Sequence, residues 1–148
     1  MSDRLALVVD DTPANRDFLE RLLTQARFTV RSADCGQAAL KSVKEGEKLT
    51  LAVVDMQLPD VNGLQLTVEL RERYPDALIV IATMYDERSL MDRAFQKGCN
   101  VFLVKPHGFM ELFKRLTTNN LDDLCQQKNL VIDQYGPRTL SPIIRTGQ

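Results

Sequence analysis

Cysteine and histidine are scarce in this chain of 148 residues: Cys35, Cys99 and Cys125 are widely spaced, none stands in a Cys-x-x-Cys pair, and His107 has no second histidine to work with. An odd count without paired spacing excludes a disulfide framework and a zinc site, leaving reduced thiols in packing or on the surface. A solitary histidine makes a poor metal or phosphotransfer site, so His107 reads as a solvent-facing residue at the start of a helix. Long apolar runs are missing too, and none approaches the ~20 residues that span a bilayer. No apolar signal core follows Met1-Ser2-Asp3-Arg4, so a cytoplasmic chain with no membrane partner is expected. Basic residues form no consecutive block and the net charge is −1, which removes any general attraction to nucleic acid.

What remains is the composition of one soluble domain, 44% hydrophobic and 26% charged. A chain of this length buries roughly 68–70% of its unfolded surface. Apolar runs alternate with helical segments. Leu5 to Val9 reads as a strand, and Thr12-Pro13 supplies an N-cap and first-turn proline for a helix with Phe18, Leu19, Leu22, Leu23 and Ala26 on one face. Phe28 to Ala33 is a second strand. Asp34 with Gln37 resembles a capping box for a helix through Ala39, Leu40 and Val43, ending at Gly46.

Leu49 to Val54 and Leu78 to Ala82 are apolar enough to be covered on both faces, as parallel strands are. Between them Leu64, Leu66, Val68 and Leu70 alternate with polar residues, a strand by period alone. A parallel crossover nevertheless requires a dozen or more residues, and Asn62 to Tyr74 is therefore expected to be helical. Asp86 is placed to cap a helix carrying Leu90, Met91, Ala94 and Phe95 that stops at Gly98. A fifth strand, Val101 to Val104, precedes Lys105-Pro106 and a helix with Phe109, Leu112, Phe113 and Leu116 at i, i+3, i+4 and i+7. The expected fold is flavodoxin-like α/β: a doubly wound (βα)5 domain over residues 1–118, its five-stranded parallel sheet ordered 2-1-3-4-5. Residues 119–148 form an extension or linker in which Gly136-Pro137 and Ser141-Pro142 read as breakers.

Chemistry-bearing residues gather at strand ends. In that strand order the first and third strands adjoin, so Asp10, Asp11 and Asp55 would cluster at the crevice where such sheets hold ligands. Three close carboxylates need a cation or a shared proton. Oxygen ligands with a partly hydrated site suit Mg²⁺, and Lys105 would bring a positive charge to the same place.

Asp10-Asp11, the segment from Asp55 through Pro59 to Gly63, Thr83 and Lys105-Pro106 together resemble the receiver domain of two-component response regulators. Asp55 lies 28 residues before Thr83, and Thr83 lies 22 before Lys105, as in that family. The resemblance covers about residues 4 to 118. It implies that Asp55 accepts a phosphoryl group from a histidine kinase or phosphotransfer protein. It further implies that Asp11, Asp55 and the Gln57 backbone carbonyl hold Mg²⁺, with Asp10 acting through water, while Lys105 and Thr83 contact the phosphoryl oxygens. Phe102 matches the family's aromatic switch, relaying the change to the last two helices, through which a downstream target, an effector domain or a second copy would bind. Gln57, Met84 and Tyr85 occupy positions that tune access to Asp55; Met84 departs from the small residue usual there. A phosphatase of the haloacid-dehalogenase type would want an aspartate two residues after its nucleophile, where this chain has Thr12 or Gln57. A nucleotide-binding fold would want Gly-x-Gly-x-x-Gly after the first strand, which is missing. An unphosphorylated pseudo-receiver acting by protein contact is the alternative.

Overall fold

The structure is a computed structural model, and it describes residues 4–105, 108–118, 130–133 and 136–139. Pro106, His107, Cys125 and Tyr135 lie outside the described residues. Strands β1 (Arg4–Val9), β2 (Phe28–Ala33), β3 (Leu49–Asp55), β4 (Leu78–Thr83) and β5 (Val101–Val104) alternate with helices α1 (Pro13–Gln25), α2 (Gly36–Ser42), α3 (Gly63–Arg73), α4 (Arg88–Gln96) and α5 (Gly108–Thr118). Two further strands follow, β6 (Leu130–Asp133) and β7 (Gly136–Thr139), and the sheet runs β2-β1-β3-β4-β5-β6-β7. The expected order 2-1-3-4-5 is present, and the extension continues it. β6 joins β5 in parallel and β7 returns antiparallel. Pro137, read as a breaker, lies inside β7, where the free edge tolerates a residue without an N–H.

Both faces of the sheet are buried because strand side chains alternate between them. Leu7, Val9, Val54, Ile79 and Ile81 pack with α2, α3 and α4 on one side. Ala6, Val8, Val53 and Val80 pack with Leu19 and Leu23 of α1 and Leu112 and Leu116 of α5 on the other. Phe18, assigned to the inner face of α1, is 41% exposed, its ring 5.8 Å from that of Phe109. α3 is helical against its alternating pattern: Leu66, Thr67 and Leu70 point inward. The Thr67 hydroxyl donates to Gly63 O at 2.7 Å, which lets a polar side chain occupy a buried position that strict alternation assigns to the outside.

Two expected caps are corrected. Cys35, not Asp34, is the N-cap of α2, its sulfur accepting from Ala38 N at 3.4 Å. A one-residue shift suffices, because the residue in extended conformation immediately before the first helical turn takes the cap. At α4 the N-cap is Glu87 rather than Asp86, with no side-chain hydrogen bond. Gly98 does end α4 in the left-handed region, at φ of +112°, whereas α2 stops at Ser42 with an extended Val43 as its C-cap, and Gly46, at φ of +86°, lies in the turn beyond it. Of the cysteines, Cys99 is buried and its thiol is pushed up by that burial, as suits an inert packing residue.

Arg31 on β2 grips Glu47 through two bonds of 2.6 and 2.7 Å, tying β2 to the turn before β3. The Arg31 hydrogen bond holds the Glu47 carboxyl down at about 2, against about 4.3 for a free glutamate. A depressed folded-state pKa stabilises fully above the unfolded value and is lost as the pH falls through the folded one. Glu47→Gln should therefore be modestly less stable than wild type at pH 7, as befits a solvent-screened pair, and the two proteins should converge as the pH falls from about 4.3 to about 2. Urea midpoints across that range would check it, and parallel acid limbs would rule the pair out as a source of acid sensitivity.

Candidate functional site

The site lies at the C-terminal ends of β1, β3, β4 and β5. Asp10 follows β1, Asp55 ends β3, Thr83 ends β4 and Lys105 follows β5, so four neighbouring strands each deliver one polar group to one crevice. Asp10 is 2% exposed. Its Oδ1 accepts from Thr12 N at 2.9 Å, and its Oδ2 takes Lys105 Nζ at 3.2 Å. The same Nζ lies 2.8 Å from Asp55 Oδ1. Lys105 thus bridges two carboxylates with little water around it, and the Asp11 side chain stands more exposed beside them.

One oxygen from each of Asp10, Asp11 and Asp55 lies within 4.8 Å of the other two. Three carboxylates against one ammonium leave the cluster short of positive charge. Burial pushes the Asp55 carboxyl above the ordinary range; the Lys105 hydrogen bond and charge oppose this, and the charges of Asp10 and Asp11 add to the rise. A hard divalent cation fits this all-oxygen donor set, since it would supply the charge that Lys105 alone does not.

The loop after β3 is held at both ends. Met56 N donates to Ala82 O, Gly63 N to Met56 O, and Gln57 bridges Asn62 across the turn. Asn62 caps α3, its Oδ1 accepting from Gln65 N at 2.8 Å. Asp60, to which the sequence assigns no role, reaches across to α2 and accepts from Gly36 N and Gln37 N at 2.8 and 2.9 Å. Those two donors hold its carboxyl below the usual range. An aspartate in a turn gives no sequence signal for a cap on a helix more than twenty residues upstream.

A cleft of about 390 Å³ opens over Asp55, lined by Asp11, Asn15, Gln57, Thr83, Met84 and Tyr85 among others. Thr83 is 2% exposed and its Oγ1 accepts from Tyr85 N at 3.2 Å. Met84 is 74% exposed and Tyr85 48%, so both stand on the rim and neither side chain plugs the cleft. Phe102 is not in the cleft. It is fully buried within β5, its ring 6.5 Å from that of Phe95 on α4. Asp10, Asp11, Asp55, Gln57, Thr83, Met84, Tyr85 and Lys105 therefore share one place, and Phe102 lies behind it.

Residues 6–117 match the model of the response regulator receiver domain. The response regulator protein PilR of Pseudomonas aeruginosa is 34% identical over 112 residues, an alignment covering 72% of this chain and 24% of PilR. A response regulatory protein of Yersinia pestis is 32% identical over 146 residues, 96% of this chain and 56% of its own length. The chain thus spans only part of these relatives. Among solved structures, a response regulator protein from Burkholderia pseudomallei with a phosphorylated aspartic acid, a calcium ion and citrate superposes with a TM-score of 0.70 at 30% identity, covering 82% of this chain and 71% of that one. Among the described residues no helix is long and apolar enough to cross a membrane. A doubly wound sheet with an acidic cluster and a lysine at its switch point, and a family match over most of its length, make this chain a member of the response regulator receiver domain family, whose function is phosphorylation-based two-component signalling.

Proposed function

We propose that Asp55 is the phosphoacceptor of a two-component switch, receiving its phosphoryl group from a histidine kinase or phosphotransfer protein. The observation that carries this reading is Lys105 Nζ at 2.8 Å from Asp55 Oδ1 beneath an open cleft: a nucleophilic oxygen with a cation already beside it. In the transfer, an Asp55 carboxylate oxygen forms a bond to phosphorus while the bond from phosphorus to the donor's imidazole nitrogen breaks and that nitrogen keeps the electron pair. Such transfers ask the protein for positioning and for positive charge near the moving phosphoryl oxygens. Lys105 swings from the carboxylates to those oxygens, and the Thr83 hydroxyl is drawn toward them. Asp11, Asp55 and the Gln57 backbone carbonyl would hold Mg²⁺, with Asp10 through water; when bound, the ion neutralises part of the phosphoryl charge.

The phosphoryl group adds about −1.5 to −2 charges and three acceptor oxygens. Movement of Thr83 frees volume on its face of the sheet, and Phe102 turns to use it. β4 and β5 pair with Ile81 beside Phe102 and Thr83 beside Val104, so Thr83 and Phe102 are diagonal neighbours on one face. The outer surfaces of α4 and α5, with the β6–β7 edge between them, then carry the change to a downstream target, an effector domain or a second copy. Gln57, Met84 and Tyr85 on the rim set how fast water removes the phosphoryl group.

Incubation with Mg²⁺ and acetyl phosphate tests the reading. One phosphoryl adduct per chain by intact mass, dependent on divalent metal and mapping to Asp55, is expected. A chain that takes up none under conditions that phosphorylate another receiver would instead be a pseudo-receiver working by contact alone.

A further inference from the structure

The family match ends at residue 117, yet the sheet continues through residue 139. β6 pairs with β5 so that Val101, Phe102 and Leu103 stand beside Leu130, Val131 and Ile132. Those three extension residues are 2%, 0% and 0% exposed, a burial that belongs to core rather than to a linker. They divide between the two faces. Leu130 and Ile132 lie on the face covered by α5, whereas Val131 shares a cluster with Phe102 and Phe95. At Gly108 an added Cβ would meet Leu103 Cγ at 2.6 Å and Ile132 O at 2.9 Å, so α5 begins pressed against both strands. The ribbon is therefore seated on the strand that precedes Lys105 and on the flank of Phe102.

From this placement we propose that the β6–β7 ribbon is an intrachain latch on Phe102, seated while Asp55 is a free carboxylate and loosened when Asp55 is phosphorylated. The inference rests on the phosphoacceptor reading above. Phe102 stands directly beside Val131 in the β5–β6 register, its ring 6.5 Å from that of Phe95, on the face that also carries Thr83. When Thr83 moves to the phosphoryl oxygens the ring follows toward the vacated volume, and Val131 loses the neighbour it packs on. A buried aliphatic side chain left facing a void loses its contacts outright. β6 and β7 have four residues each and join the sheet only through the β5–β6 pairing, so loosening that one seam is enough to open the ribbon without unfolding the rest of the sheet. The signal leaves the domain as a change in how firmly the ribbon holds to β5.

Hydrogen exchange on the full chain, with intact mass taken from the same samples, decides it. Phosphorylation by acetyl phosphate and Mg²⁺ should speed exchange of the Leu130–Asp133 amides by about tenfold, with β1 amides unchanged as the internal control. In Phe102→Leu, which keeps the core apolar, the same amides should exchange faster than wild type before phosphorylation and respond no further to it. A stoichiometric adduct with unaltered exchange at Leu130–Asp133 overturns the latch and leaves the phosphoacceptor reading standing. No adduct at all overturns both. A Phe102→Leu response equal to that of wild type also rejects the latch, because the ring would then not be the link.

Discussion

Asp55→Asn is expected to abolish phosphoryl uptake completely and, in the absence of metal, to raise stability at neutral pH. The first effect follows from chemistry: an amide oxygen carries no formal charge to attack phosphorus, while the side chain keeps its size and the cleft its shape. The second follows from the site's electrostatics. Burial, reinforced by the charges of Asp10 and Asp11, raises the Asp55 carboxyl above its unfolded value despite the Lys105 hydrogen bond. A carboxyl with a raised folded-state pKa contributes most to stability below its unfolded value, about 3.9, and that contribution is lost as the pH rises through the folded one. At pH 7 the ionised Asp55 is thus a net cost to the folded state, and asparagine removes it. Urea midpoints for the two proteins should be separated at pH 7, with the variant higher, and should converge as the pH falls toward 3. Added Mg²⁺ should narrow the gap from the other side, because a ligand bound only by the folded state stabilises it by mass action. A variant that unfolds earlier than wild type at pH 7 without metal would mean that the Lys105 contact outweighs burial.

The sheet order and the cluster were legible in the sequence for a common reason. Residues whose burial is demanded from both sides, such as Leu51 to Val54, leave an unambiguous apolar run, and the polar residue ending each run marks the strand tip. α3 was legible only through topology. Its alternation of Leu64, Leu66, Val68 and Leu70 was overridden by the crossover that a parallel β3–β4 pair requires, with Thr67 turned inward. Caps were misplaced by one residue at α2 and α4, where neighbouring polar residues compete for one backbone position and propensity cannot choose. The extension was the larger omission. Leu130-Val131-Ile132 is an apolar triplet with two β-branched residues between Asn129 and Asp133, a strand signal overshadowed by Gly136-Pro137. Proline argued against a central strand, and β7 is an edge. The tie from Asp60 to α2 had no signal, since it joins a turn residue to the first residues of a distant helix that only the folded chain brings beside it.

Gly63→Ala should be among the most destabilising substitutions of a single methyl, costing about 3 kcal/mol, as overpacking in a rigid site does. The reason is space. A Cβ at Gly63 would sit 2.6 Å from Asp55 O and 2.8 Å from Met56 Cα, backbone atoms of the strand that ends in the proposed phosphoacceptor. Neither atom can yield easily, because Asp55 is paired beside Ala82 in the sheet and Met56 N donates to Ala82 O. The start of α3 must move instead, stretching the bond from Gly63 N to Met56 O and shifting Gln57 with it. Gly46→Ala is the fitting comparison: its φ of +86° is strained for any side chain, but nothing lies within 4 Å of the added methyl. Left-handed strain by itself costs about 1–2 kcal/mol, so the two variants separate crowding from conformation. Calorimetric Mg²⁺ titration adds a functional readout, since displacement of Asp55 and the Gln57 carbonyl should weaken metal binding in Gly63→Ala and leave it unchanged in Gly46→Ala. Equal losses of stability with equal metal affinity would show that the β3–α3 turn can relax around a methyl, and that its closeness to Asp55 does not position the site.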